Sequence, residues 1–201
     1  MSIDINKYTV PDNEAEGEVL PNLLNLVSIE EIAESEFIGF VHAQQKAIDE
    51  LSDEMVFDLS YLYNLHKDAL GHLYSFAGKL RTVNMSKGNF AFPPASFLPQ
   101  AMSDFEGEFL SLLEKLSDDE ILIVQLARMH AELLFIHPFR EGNGRTIRMF
   151  TNLIYLSKTG KELDFKILED NLEQYIAAVQ QAGQKEYGLM EKLFLEMTTS
   201  L

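Results

Sequence analysis

His137-Pro138-Phe139-Arg140-Glu141-Gly142-Asn143-Gly144-Arg145-Thr146-Ile147-Arg148 places an imidazole, a carboxylate, two glycines around an asparagine and three arginines within twelve residues. No other window of the chain is so dense in reactive groups. A residue before proline is biased away from the helical region, so the apolar helix ahead of His137 should stop there and leave the imidazole on a loop. So placed, it can take a proton near neutral pH. Gly142-Asn143-Gly144 can turn successive backbone N–H groups towards one point. Apolar periodicity resumes at Ile147 and Phe150, which puts those donors at a helix start, an anion nest on a positive helix end. Arg145 and Arg148, three apart, share a helix face and can grip a polyphosphate as two planar forks. Glu141, a hard oxygen ligand beside the nest, suits a Mg²⁺ held jointly with phosphate oxygens. No Lys-Ser or Lys-Thr follows the glycines, so the window is not a P-loop.

Upstream, Ile121 to Ile136 is apolar on nearly every face, through Val124, Leu126, Ala127, Met129, Leu133, Leu134 and Phe135. A helix apolar all round is buried, so this segment should be the central helix that delivers His137. A second capping box, Ser117-Asp118-Asp119-Glu120, precedes it. Downstream, the helix that begins at the nest runs through Met149 to Leu156, with Gly160 as its stop.

Further out, residues 28–51 carry a capping box at Ser28-Ile29-Glu30-Glu31 and helical spacing from Ile32 to Leu51. Ser52-Asp53-Glu54 should restart a helix that runs to about Phe76 and ends at Gly78. Arg81 to Met85 and Asn89 to Phe92, separated by Ser86-Lys87-Gly88 and stopped by Pro93-Pro94, give the one convincing strand signal, a hairpin. Alone it is barely stable, so it must lean on helices or await a partner strand. Residues 95–115, 167–182 and 187–198 complete the helices. His66, His72 and His130 are assigned structural roles, since His66 and His72 lie on different helix faces and the chain has no cysteine to complete a zinc cluster. The fold class is all-α, a helical bundle around a buried central helix with a small hairpin.

The 201 residues make one domain with an arm: an acidic, turn-rich stretch at 1–27 and a single domain at 28–201. A formal net charge of -16 repels nucleic-acid backbones, and against it the arginines at 140, 145 and 148 form a local basic pocket. With no cysteine, no signal-peptide h-region and no run long enough to span a membrane, a cytoplasmic protein is expected; export by a route that needs no such signal is compatible with it.

A lone histidine or a lone G-x-G is weak evidence of function; the joint pattern is not. It resembles, with no fixed position missed, the H-x-F-x-[DE]-G-N-G-R-x-x-R signature of the Fic (filamentation induced by cAMP) family. Residues 76–84 look like the family's lead into its flap, and the likeness covers roughly 55–195. It implies a Fic fold with the hairpin as a flap over the active site, and an adenylyltransferase that moves AMP from ATP to a Ser, Thr or Tyr hydroxyl of a target protein. His137 is then the general base and Glu141 the Mg²⁺ ligand. The Gly142-Asn143-Gly144 backbone and the Asn143 side chain stabilise the α-phosphate, Arg145 and Arg148 hold the β/γ end, and Phe139 is a packing anchor. The flap residues Val83, Asn84, Met85, Ser86, Lys87, Gly88, Asn89 and Phe90 would dock the target by strand addition. Tyr175 and Tyr187 would border the adenine.

The resemblance also implies that Gly144 favours AMP transfer, because the Doc-type kinases carry lysine there. The family's inhibitory pattern [ST]-x-x-x-E-[GN] finds no match; residues 12–17 have the Glu-Gly without the Ser or Thr. A separate antitoxin supplying a glutamate to Arg148 is therefore expected, making this the toxin of a two-protein module. The alternatives are a non-catalytic nucleotide- or protein-binding module on the same scaffold, or transfer of another phosphate-containing group.

Overall fold

A computed structural model describes residues 19–52, 54–113, 116 and 118–199. Most of the acidic arm, with the 12–17 stretch, lies outside them, as do Asp53 and Ser117. The elements are α1 (Ile29–Asp49), α2 (Leu59–Leu70), β1 (Ser86–Lys87), β2 (Phe90–Ala91), α3 (Leu98–Phe105), α4 (Ser111–Leu113), α5 (Asp119–Ile136), α6 (Asn143–Thr159), α7 (Lys166–Asp170), α8 (Leu172–Ala182) and α9 (Gly188–Thr199). Helix dominates and a two-stranded antiparallel hairpin is the one sheet among the described residues, as expected of an all-α fold with a flap.

Helix α5 is the centre. It packs against α3, α6, α8 and α9, while α1 and α2 pack on each other and on α6. Eleven of its residues are buried, Leu126, Ala127, Met129 and Leu133 completely. Each large apolar side chain so buried contributes about 1.5–3 kcal/mol. Its N-cap is Asp118, whose carboxylate accepts from Glu120 N and Ile121 N, one residue later than the expected capping box. Ser28 caps α1 as its sequence suggests.

Several boundaries differ from the sequence reading. Helix α2 starts at Leu59 because Asp58 caps Tyr61 N at 2.7 Å and Glu106 accepts Leu59 N at 3.2 Å. It ends at Leu70, and a series of short turns through Tyr74 and Phe76 carries the chain to Lys79. The expected single helix at 95–115 is a 3₁₀ turn (Ala95–Phe97), α3, a π-helical turn (Glu106–Leu110) and α4. The expected helix at 167–182 breaks at Asn171, whose side-chain amide donates to Ile167 O and closes α7. The hairpin is shorter and displaced from the expected one: its first strand is Ser86–Lys87, which reads as turn in the sequence, with Ser86 pairing with Ala91 and Lys87 with Phe90 around Gly88-Asn89, and the expected strand at 81–85 is absent.

Gly39 sets the crossing of α1 on α2. A Cβ there would stand 2.0 Å from Ala69 O and 2.5 Å from the His72 ring, so only glycine permits this approach. The described part of the arm joins the same region, where Leu23 N donates to Leu73 O.

Candidate active site

Helix α5 ends at Ile136, where the sequence places the stop, but His137 is left-handed (φ 54, ψ 62) rather than extended. Its N–H still reaches Leu133 O at 3.0 Å, so it closes the helix in the manner usually left to glycine. Holding a side-chain-bearing residue there costs about 1–2 kcal/mol. Nor is the imidazole on an open loop. It is 3% exposed, stacked on Phe92 with ring centroids 3.9 Å apart. Its Nδ1 lies 3.2 Å from Leu134 O, and since a carbonyl only accepts, Nδ1 carries the proton and Nε2 is the basic nitrogen. Burial, with Arg81 and Lys87 nearby, pushes the pKa of His137 down to about 3, against the carbonyl bond that favours the cation. The ring is a neutral base across the physiological range.

Between the two helices the loop is braced on itself. Asn143 Oδ1 accepts Phe139 N at 2.8 Å and its Nδ2 donates to Phe139 O at 2.7 Å. The Asn143 side chain, expected on the α-phosphate, is therefore the loop's own brace. Below it, His66 stacks on Phe139 at 3.9 Å, which confirms Phe139 as a packing anchor. Gly78 N donates to His66 Nδ1 at 2.7 Å, which leaves Nε2–H to donate to Glu141 O at 2.9 Å. Burial pushes His66 down to about 4 and keeps it neutral.

Gly142 is the N-cap of α6 at φ 76, and a Cβ there would meet Leu70 Cδ1 at 2.7 Å. At Gly144 a Cβ would meet nothing within 4 Å, so packing does not demand that glycine. Glu141 is 9% exposed; its Oε1 accepts Gly142 N at 2.9 Å and lies 3.5 Å from Arg145. Arg145, in the first turn of α6, gives one nitrogen to Glu36 of α1 at 2.6 Å and sets its guanidinium carbon 4.5 Å from the Phe40 ring centre. Arg148 is half-buried one turn on, with no ion pair or hydrogen bond to its side chain among the described residues.

Arg81 joins hairpin to helix, a role that sequence reasoning missed. It is 3% exposed and donates from Nε to His137 O at 2.7 Å, and from its terminal nitrogens to Val83 O at 2.7 Å, Pro93 O at 2.6 Å and Ile136 O at 3.4 Å. A cation on the last carbonyls of α5 also meets the negative end of its dipole. Burial lowers Arg81 to about 10, which leaves it charged at neutral pH. Within the flap, Met85 is buried and Asn84 Oδ1 accepts Ala95 N at 2.9 Å, so these two pin the hairpin. Val83, Ser86, Lys87 and Phe90 are partly exposed, and Gly88 and Asn89 form the exposed tip.

The two tyrosines expected at the adenine are committed to other partners. Thr151 Oγ1 donates to Ile147 O, so it accepts from His130 Nδ1–H at 2.9 Å, and the Tyr175 hydroxyl donates to His130 Nε2 at 2.8 Å. Tyr175 thus belongs to a buried polar string, which gives His130 its structural role. The Tyr187 hydroxyl donates to Glu132 of α5 at 2.8 Å, beside Lys185.

The sequence model of the Fic/DOC family matches residues 56–155. The protein adenylyltransferase VbhT of Bartonella schoenbuchensis is 33% identical over 135 residues, covering 64% of this chain and 27% of that protein. The probable protein adenylyltransferase y4lH of Sinorhizobium fredii is 29% identical over 153 residues, 75% of this chain and 77% of that one. Among solved structures, BepC of Bartonella tribocorum with bound AMPPNP superposes with a TM-score of 0.72 at 19% identity, covering 91% of this chain and 94% of that one. At that identity the likeness is one of fold. With the signature intact at 137–148, the matched region running from before α2 into α6, and the bundle and flap in place, the chain belongs to the Fic/DOC family.

Proposed function

We propose that this protein is an adenylyltransferase that moves AMP from ATP onto a hydroxyl of a target protein. The observation that carries the reading is the neutral His137 held with Nδ1–H on Leu134 O, which leaves Nε2, buried in this structure, as the basic nitrogen on the loop that leads into α6. In the step, Nε2 takes the proton of the target hydroxyl while its oxygen attacks the α-phosphorus. The bond from that phosphorus to the bridging oxygen of the β-phosphate breaks, and pyrophosphate leaves. The α6 N-terminus and the arginine forks stabilise the charge, as suits attack at phosphorus. Burial first, and Arg81 and Lys87 after it, depress the pKa of His137, so the ring is neutral and able to take a proton. Curated relatives named as protein adenylyltransferases, and a bound ATP analogue in a structural neighbour, support the reading.

The residues fit a metal that enters with the nucleotide. No cluster of three metal-ligating side chains exists among the described residues, and Mg²⁺ on substrate phosphates needs one or two carboxylates. Glu141 would hold it, and its charge would offset that of the phosphates. The target would dock on the hairpin of β1 and β2 by strand addition. No helix of the described residues is long and apolar enough to cross a membrane.

Incubation with α-labelled ATP, Mg²⁺ and a cell lysate tests the transfer. Label on protein should fall by about 10²–10⁴-fold with His137→Ala; equal label in the variant, or label only from γ-labelled ATP, overturns the reading. We place regulation at Arg148, on a glutamate from a separate antitoxin, because no described carboxylate pairs with it. An isolated chain that is inactive until residues 1–20 are removed would show instead that the arm inhibits.

A further inference from the structure

A residue from outside the family-matched region reaches into the site. Glu36 lies on α1, and the matched stretch begins at residue 56. The residue is 4% exposed, an unusual place for a carboxylate unless it is fully partnered. Both oxygens are engaged: Oε1 accepts the Tyr74 hydroxyl at 2.6 Å and Oε2 meets Arg145 at 2.6 Å. The close crossing of α1 on α2 at Gly39 brings the carboxylate there, and Phe40, one turn on from Glu36, lies under the guanidinium. Burial and the adjacent carboxylate push the Tyr74 phenol up, so it keeps its proton and donates.

The contact occupies one terminal nitrogen of Arg145. Its Nε and other terminal nitrogen have no hydrogen-bond partner among the described residues, and the side chain is 34% exposed. A guanidinium anchored from behind by one arm, with a ring against one face, has lost the rotamer freedom of a long side chain but keeps donors for a ligand. Ordering it beforehand removes a cost that binding would otherwise carry.

We infer that Glu36, held by Tyr74, is a positioning residue that fixes Arg145 for the terminal phosphates of the nucleotide. The inference rests on the nucleotide reading above. It separates ligands by chemistry: a nucleoside triphosphate has the β/γ oxygens that Arg145 would meet, and a monophosphate does not.

The test measures binding of α,β-methylene ATP and of AMP, with Mg²⁺, to the full chain by calorimetry. Wild type should prefer the triphosphate. Glu36→Gln keeps the shape and removes the charge; it should lose about tenfold of that preference, all from the triphosphate, with AMP affinity unchanged. Tyr74→Phe, which deletes one hydroxyl and serves should the first variant fold poorly, should lose about threefold. In transfer assays the loss should appear in KM for ATP more than in kcat, a split that a merely structural role would not produce. An unchanged preference in both variants overturns the inference and leaves the nucleotide reading intact. Tighter triphosphate binding in Glu36→Gln also overturns it, because the carboxylate would then be a competitor of phosphate. A wild type that does not distinguish the two ligands overturns the nucleotide reading and the inference together.

Discussion

Residues 137–143 make a floor that closes on itself. Phe139 and Asn143 exchange two hydrogen bonds across four residues, and His66 stacks beneath. The hairpin above has two residue pairs, with Arg81 bridging its base to the end of α5, Met85 and Asn84 pinning it and Phe92 lying on the His137 ring. The floor is braced by bonds between near neighbours; the roof is tied to the end of α5 by a long-range clasp, Arg81. A base must be held within a few tenths of an ångström, whereas a surface that receives a protein target needs freedom to adjust. The two modes of attachment match those needs.

Acid should strain floor and roof together. His66 and His137 are neutral in the fold, pushed down to about 4 and about 3 by burial, and His130 to about 3 likewise. Each depressed pKa means that the unfolded chain binds the proton first. Stability is complete above the ordinary histidine value and is lost as pH falls below it. At pH 5 the loss is about 2 kcal/mol per histidine, up to about 6 kcal/mol for three. Thermal melts at pH 7 and pH 5 should show it. A flat profile across that window would mean that the rings can be charged in place. His66→Gln should remove roughly a third of the slope.

Cutting the clasp should separate the two regions. Arg81→Met leaves the carbonyls of Val83, Pro93, Ile136 and His137 without this donor and should cost about 4 kcal/mol. Hydrogen exchange should rise first in residues 83–92 while the amides of α5 stay protected. Uniform loss of protection would show that the roof is no less integral than the floor.

Within the floor, two glycines should behave differently. Gly142→Ala meets Leu70 and a left-handed backbone, so about 3 kcal/mol should be lost. Gly144→Ala meets no atom within 4 Å; its melting temperature should stay within a degree or two while AMP transfer falls. Equal melting losses would place both glycines in the architecture.

Much of the floor was legible because its causes are close in sequence. A nest between two helices, a helix start and a histidine at a helix end all follow from neighbours within a dozen residues, whereas the Asn143 side chain, expected on phosphate, closes on Phe139 instead. The left-handed His137 escaped, since the proline after it argues for extended backbone and only the bond from its N–H to Leu133 O shows why the other conformation is held. The existence of a hairpin was visible, but its register was not: the first strand forms at Ser86–Lys87, which reads as turn in the sequence, because the chain reverses at Gly88-Asn89. Tyr175 and Tyr187 carried no sign of the partners that occupy their hydroxyls.

The chain by itself determined that a buried apolar helix ends in a base and that an anion-binding helix follows, because both rest on local periodicity and backbone stereochemistry. Tertiary structure decided what holds each charged group still. Arg81 reaches His137 O across 56 residues, and Arg145 meets Glu36 across 109. Such pairings depend on which helices cross and how closely, and Gly39 beneath Ala69 shows how one missing side chain sets that distance. Neither partner's spacing in the sequence encodes it.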